Sequence, residues 1–136
     1  MARFQQPQDH RAAQIARLGE IYREGLAPRK EATEGGPFRS YPTPASAVLC
    51  GDFNLPPDDP LHWEITSFGF VDAWQALHPG EPHPHTFRVH ERAEGQSPYC
   101  CDFVFVTKEL VPRLASIRID AQNRASDHQP VIVELR

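Results

Sequence analysis

At 136 residues the chain amounts to one domain, residues 1–136, with enough length to bury a modest core. Its 40% hydrophobic and 24% charged composition is ordinarily globular, and 14 prolines argue for many loops and against a helical bundle. The net charge of −4 disfavours a broad basic face for indiscriminate nucleic-acid binding, yet it leaves room for a site where carboxylates gather around a metal ion.

Residues 9–26 predict the first helix: Asp9 can cap it, Ile15, Leu18, Ile21 and Tyr22 recur at three and four residues, and Gly25 lies near its end. Residues 27–45 are rich in Pro, Gly and charge and predict a mobile insertion loop, in which Phe38 and Tyr41 are chance aromatics. An apolar run over 45–50, bounded by Pro44 and Gly51, predicts a buried strand. Leu61, Glu64, Ile65 and Phe68 fit a short helical face closed by Gly69, and residues 70–74 read as a short aromatic connector. Strands are then expected over 85–89, 99–106, 114–120 and 131–135, with loops at 80–84 and 91–98. Helices first and a run of strands later points to α+β, not to alternating βαβ units.

Cys50, Cys100 and Cys101 make an odd number without framework spacing, and the apolar surroundings of Cys50 and Cys101 predict buried, reduced thiols. The polar opening residues and the lack of a long apolar run argue against a signal peptide or a membrane span, so a cytoplasmic protein is expected.

Several polar residues stand where strands meet loops. Asp52 and Asn54 leave the first strand two residues apart and point the same way in extended backbone. Asp102 shares a strand face with Val104 and Val106, where a carboxylate is costly unless something pairs with it. His128, within Ser126-Asp127-His128-Gln129-Pro130 at the mouth of the last strand, is the candidate partner. An acid on one strand that holds an imidazole from the next fixes its tautomer and favours the imidazolium. Taken singly, each has a bland reading: Asp52 and Asn54 as turn residues, His128 as a core histidine, Ser126 as a turn hydroxyl, Thr86 as a β-branched strand residue. A rival cluster, His83, His85 and His90 beside Cys100 and Cys101, lacks the CxxC or HxxxH spacing of a zinc site, and solvated loop histidines fit it better.

Taken in order, Gly51-Asp52-Phe53-Asn54, Thr86-Phe87, Cys101-Asp102-Phe103 and Ser126-Asp127-His128-Gln129-Pro130 resemble the motifs of the endonuclease/exonuclease/phosphatase superfamily. Its members include DNase I-like nucleases, exonuclease III-like repair enzymes, sphingomyelinases and inositol polyphosphate phosphatases. The resemblance implies a four-layer α/β/β/α sandwich of mainly antiparallel sheets with flanking helices, of which this chain is the C-terminal half and supplies one sheet. The family's upstream strand with its Asn, and its metal-binding Glu in a Gln-Glu pair, have no counterpart here. The implied reaction is hydrolysis of a phosphodiester or phosphomonoester by in-line water attack with Mg²⁺ or Mn²⁺. In it Asp52 orients or deprotonates the water, Asn54 donates to a phosphate oxygen, Asp102 holds His128, and Asp127 helps bind the metal. Thr86 and Ser126 are candidate substrate contacts. The expected partner is a phosphate-ester substrate, with nucleic acid among the candidates. The alternative is a catalytically inactive half-domain that acts as an oligomer or interaction module. In either case the open sheet face predicts homo-oligomers.

Overall fold

A computed structural model describes residues 5–27, 45–90 and 97–136, with the side chains of residues 5–8 left aside. They fall into two units, one within Met1–Ala45 and one spanning Ser46–Arg136. In the first unit, helix α1 runs Gln5–Leu26. It begins four residues before Asp9, which is therefore an exposed helical residue and not a cap. Ile15 is buried as the periodicity requires, but Ile21 is 51% exposed. On the outer face Arg17 reaches Glu20 at 2.9 Å and Glu24 at 2.8 Å. The expected insertion loop with Phe38 and Tyr41 lies almost wholly outside the described residues.

The second unit carries the sheets. Its element order is β1 (Val48–Asp52), α2 (Pro60–Ser67), β2 (Phe70–Asp72), α3 (Ala73–Leu77), β3 (Asp102–Thr107), β4 (Leu114–Ile119) and β5 (Val131–Leu135). The fold is mixed α/β with antiparallel sheets and flanking helices. Where one sheet was expected there are two: β1-β3-β2 and β4-β5. A six-residue 3-10 helix, Lys108–Arg113, with Pro112 inside it, lies between β3 and β4. The ring takes away a backbone donor, and β4 pairs with β5.

Strand β3 is central and both its faces are used. On one side Val106, with Val104 partly buried, packs with Ala73, Leu110, Leu114 and Ile117 and the flanking Val131 and Val133. On the other, Phe103 and Phe105 stand at 6.0 and 5.4 Å from the Phe53 ring in edge-on contacts. Alternation along a pleated strand sorts these two sets, so the sequence DFVFVT serves two apolar layers at once.

Two local expectations fail for the same reason, position within the sheet. Strand β1 pairs with β3 alone and is an edge, so Val48 is 49% exposed and the apolar run is not buried. Cys50, expected to be buried, is exposed on it. The connector at 70–74 is in fact β2, paired with β3 from Phe70↔Thr107 to Asp72↔Phe105, followed at once by α3. Asp72 switches one into the other: its Oδ1 accepts from Trp74 N at 2.8 Å and Gln75 N at 3.2 Å, an N-cap. No helix of the described residues is long and apolar enough to cross a membrane.

Candidate active site

The register of β1 on β3 sets Asp52 directly opposite Asp102, so two carboxylates meet at one end of the sheet. Asn54 follows in a left-handed conformation, φ 53°, and its amide donates to Asp52 Oδ1 at 2.8 Å. Asn tolerates this conformation better than most residues and Asp accepts such bonds readily, so the turn and the site chemistry draw on the same residue types.

Residues 85–89, expected to be a strand, make only isolated bridges from Phe87, to Tyr99 on one side and His128 on the other. The segment is nonetheless firmly held. Thr86 N and Phe87 N donate to Tyr99 O, Arg88 N donates to Asp127 O at 2.9 Å, and Gln129 N donates to Thr86 O at 2.6 Å. These bonds carry the Ser126–Gln129 loop to the head of β3. There His128 Nδ1 donates to Asp102, at 3.0 Å from Oδ2 and 3.2 Å from Oδ1. The bond turns His128 Nε2 toward Asp52, whose Oδ2 lies 3.9 Å away. The Phe87 ring, 4.5 Å from the imidazole, backs it.

His128 holds its proton above the usual histidine range. The hydrogen bond to Asp102 is the chief cause; burial opposes it, and the charges of Asp102, Asp52 and Asp127 add to it. His128 Nε2 thus faces Asp52 across a gap too long for a direct hydrogen bond.

Thr86 and Ser126 take supporting places. Thr86 is fully buried, and its hydroxyl accepts from Cys101 N at 3.1 Å and Asp102 N at 3.2 Å. It fixes the entry into β3 and has no surface with which to meet a substrate. Ser126 Oγ accepts from His128 N at 3.1 Å and donates to Asp127 Oδ1 at 3.3 Å, which steadies the loop. Gln129 was not singled out from sequence. Buried, with its amide turned to donate to Asn123 O at 2.9 Å and Asp120 O at 3.1 Å, it anchors the same loop. Its place directly after the Asp-His pair was the available signal.

Asp52, Cys101 and His128 form one of two groups whose ligand atoms all lie within 4.8 Å of one another among the described residues. Burial, with the carboxylates of Asp102 and Asp52, pushes the Cys101 thiol well above its usual range, and the hydrogen bond to Asp102 raises His128, so both hold their protons more tightly than the free groups do. What remains is oxygen. Asp52, within that group, and Asp127, next to His128 in the chain, are both exposed carboxylates. One or two carboxylates, with water and substrate oxygens, are what a magnesium-sized ion takes. The donor chemistry fits a hard divalent cation and not a thiophilic one.

The second group, His62, Asp72 and His83, contains none of the anticipated site residues. Of the rival histidines only His83 joins it. His85 is exposed, so the His83-His85-His90-cysteine cluster does not assemble.

The thiols give a direct check on this part of the structure. Burial pushes the Cys100 thiol up to about 12 and raises Cys101 as well, whereas Cys50 is exposed. One of the three thiols should therefore react quickly with Ellman's reagent in the native protein, and all three in denaturant. Three fast thiols without denaturant would contradict the packing at the head of β3.

The sequence model of the Endonuclease/Exonuclease/phosphatase family matches residues 14–128, and this chain belongs to that family. Among solved structures it is similar to the 3′ phosphatase NExo from Neisseria bound to product DNA hairpin, with a TM-score of 0.64 and 23% identity over 90% of this chain and 51% of that one. The 3′-5′ exonuclease NExo from Neisseria meningitidis gives 0.62 and 20% identity, over 89% and 51%. An AP endonuclease from Archaeoglobus fulgidus gives 0.54 and 23%, over 66% and 45%. The chain thus spans about half the length of these structures. No curated protein sequence matches it.

Proposed function

We propose that this chain belongs to a divalent-metal-dependent phosphoesterase that hydrolyses a phosphodiester or phosphomonoester, with nucleic acid as the substrate class. The reading rests on the imidazolium of His128, held by Asp102 at 3.0 Å and aimed at Asp52 across 3.9 Å. A carboxylate beside a fixed cation can orient water and take its proton while the cation faces a phosphoryl group that gains negative charge. Asp52 acts as the base, Asn54 donates to a phosphate oxygen, Asp102 positions His128, and Ser126 and Thr86 hold these residues in register. Asp127 would help hold Mg²⁺ or Mn²⁺. Such an ion, when bound, neutralises charge on the phosphate. The nucleic-acid preference draws on the solved neighbours, one of them bound to product DNA hairpin.

A second reading has one observation in its favour, the half-length coverage of those neighbours. In it the chain is an inactive half-domain that acts by self-association, covering edges such as β1 and β5, where Val48 and Leu135 are 49% and 41% exposed. One set of measurements separates the two. The purified chain is freed of metal and assayed on a labelled oligonucleotide and on bis(p-nitrophenyl) phosphate, with Mg²⁺, Mn²⁺ or chelator, beside light scattering. Turnover that needs the metal and disappears in Asp52→Asn is the expected result. No turnover under any condition, with the chain sedimenting as an oligomer, would favour the second reading, and full-rate turnover in chelator would contradict metal dependence.

A further inference from the structure

Away from the Asp52–His128 site, three side chains from different elements converge on one point. His62 comes from α2, Asp72 from the junction of β2 and α3, and His83 from the loop that leads to Thr86. Both Nε2 atoms lie 2.8 Å from the same oxygen, Asp72 Oδ2. All three side chains are about 95% buried, at 5–6% exposure. Asp72 Oδ1 is occupied separately by the amides at the head of α3, so Oδ2 alone serves the two imidazoles.

We propose that His62, Asp72 and His83 bind a divalent transition-metal ion of the zinc type through Nε2, Oδ2 and Nε2. Three features carry the inference. First, two imidazoles and one carboxylate are the donor set that zinc accepts at three protein ligands with a fourth position open. Second, the geometry is within reach. Zinc–ligand distances of about 2.0–2.2 Å place tetrahedral donors about 3.3 Å apart, so roughly half an ångström of side-chain movement makes room for the ion. Third, the imidazoles can turn their lone pairs inward without a charge change. In the hydrogen-bonded state each ring carries its proton on Nε2, and binding moves that proton to Nδ1. His62 Nδ1 is buried and has no hydrogen-bond partner among the described residues, so moving the proton there breaks no existing bond.

The surroundings suit an ion and not merely a packed triad. The three residues line a pocket of about 570 Å³ with Trp63, Gln75 and Lys108, which leaves the fourth coordination position facing space that water or a small ligand can fill. On the inner side the Phe103 ring stands 5.0 Å from His62 and 5.3 Å from His83, an apolar backing that raises the effective strength of metal–ligand attraction. Bound there, the ion would clasp α2, the β2–α3 junction and the loop to Thr86, and so stiffen the segment that fixes the head of β3. The site is chemically unlike the Asp52 mouth: nitrogen-rich and buried here, oxygen-only and exposed there.

The test uses the full chain, stripped of metal and titrated with Zn²⁺ alone, and in parallel with Co²⁺ to record the visible band of a four-coordinate nitrogen–oxygen site. His62→Gln and His83→Gln place an amide where Nε2 stood. Each variant can still donate to Asp72 Oδ2 and fold, but it loses a metal ligand. One zinc per chain is expected for the parent, with a rise in melting temperature. Either variant should bind at least about 100-fold more weakly, the upper end of what loss of an outer-shell partner alone costs. Asp52→Asn should bind zinc as the parent does. A parent chain that takes up no zinc, glutamine variants that bind as tightly as the parent, or loss of binding in Asp52→Asn would each overturn the proposal. None of these readouts depends on phosphoesterase activity, so failure here and failure of the phosphoesterase reading are separable.

Discussion

On the proposed phosphoesterase reading, replacing His128 by Gln should lower turnover by roughly 10² to 10⁴-fold, the range over which a positioned proton-bearing group contributes. The same substitution should leave substrate affinity nearly intact if the imidazolium acts on charge that develops only during reaction. Asp102→Asn should fall in the same range by a different route. Asp102 supplies the chief hydrogen bond that raises His128, so its amide variant should return the imidazole toward the ordinary value of about 6.5. The pH profile tells the two apart. In the parent, rate should decline as pH rises through the raised His128 value, and in Asp102→Asn this limb should move to lower pH. Proton NMR titration of the His128 ring reads the same shift without an assay. The stability linkage carries the matching sign. A raised folded-state value means that the His128–Asp102 bond contributes fully below about pH 6.5 and is lost as pH climbs through the folded value. An unshifted His128 titration in the parent would sink the mechanistic assignment.

The candidate site was legible because its residues sit where sequence pattern itself breaks. Asp52 and Asn54 close an apolar run, Asp102 opens one, and Asp127-His128 precede another, so chemistry and strand ends coincide in the one-dimensional text. Their pairing then follows from antiparallel register, which put Asp52 opposite Asp102. The His62–Asp72–His83 cluster had no such signal. His62 stands on a short helix as a lone histidine, Asp72 looks like a turn acid, and His83 sits among prolines. Only the fold brings side chains 10 and 11 residues apart onto one oxygen. Edge and centre were equally unreadable: VLCGD has the composition of an inner strand, yet it pairs on one side and exposes Cys50. Phe70–Asp72 is too short for periodicity to declare a strand. It became one because β3 offered it an edge.

Replacing Asp72 by Ala should be the most destabilising single change within the sheet unit. The carboxylate caps α3 through two amides and accepts from two buried imidazoles, so its removal leaves both Nε2 donors and the helix terminus unsatisfied. Each buried donor left without its acceptor costs about 1–3 kcal/mol, and loss of the cap, about 1 kcal/mol, belongs to the same sum. For a domain of this size that corresponds to a fall in melting temperature of about 10–20 °C. Burial alone would raise the Asp72 carboxyl. The hydrogen bonds from His62 and His83, with the charge of His83 and the amide of Gln75, overcome that and hold it well below the carboxylate range. Its contribution is therefore present above the unfolded value of about 3.9 and is lost as pH falls below it, toward the depressed folded value. Urea unfolding of the metal-free parent and of Asp72→Ala, in chelator across pH 3 to 7, should show a gap that is widest near neutrality and begins to narrow below about pH 4. Asp72→Asn separates the terms. The neutral amide keeps a carbonyl oxygen for one set of donors but cannot serve both, so its loss should lie between parent and Ala and should vary little with pH. A gap that stays constant down to pH 3 would show that the carboxylate's charge does not hold the two imidazoles in place.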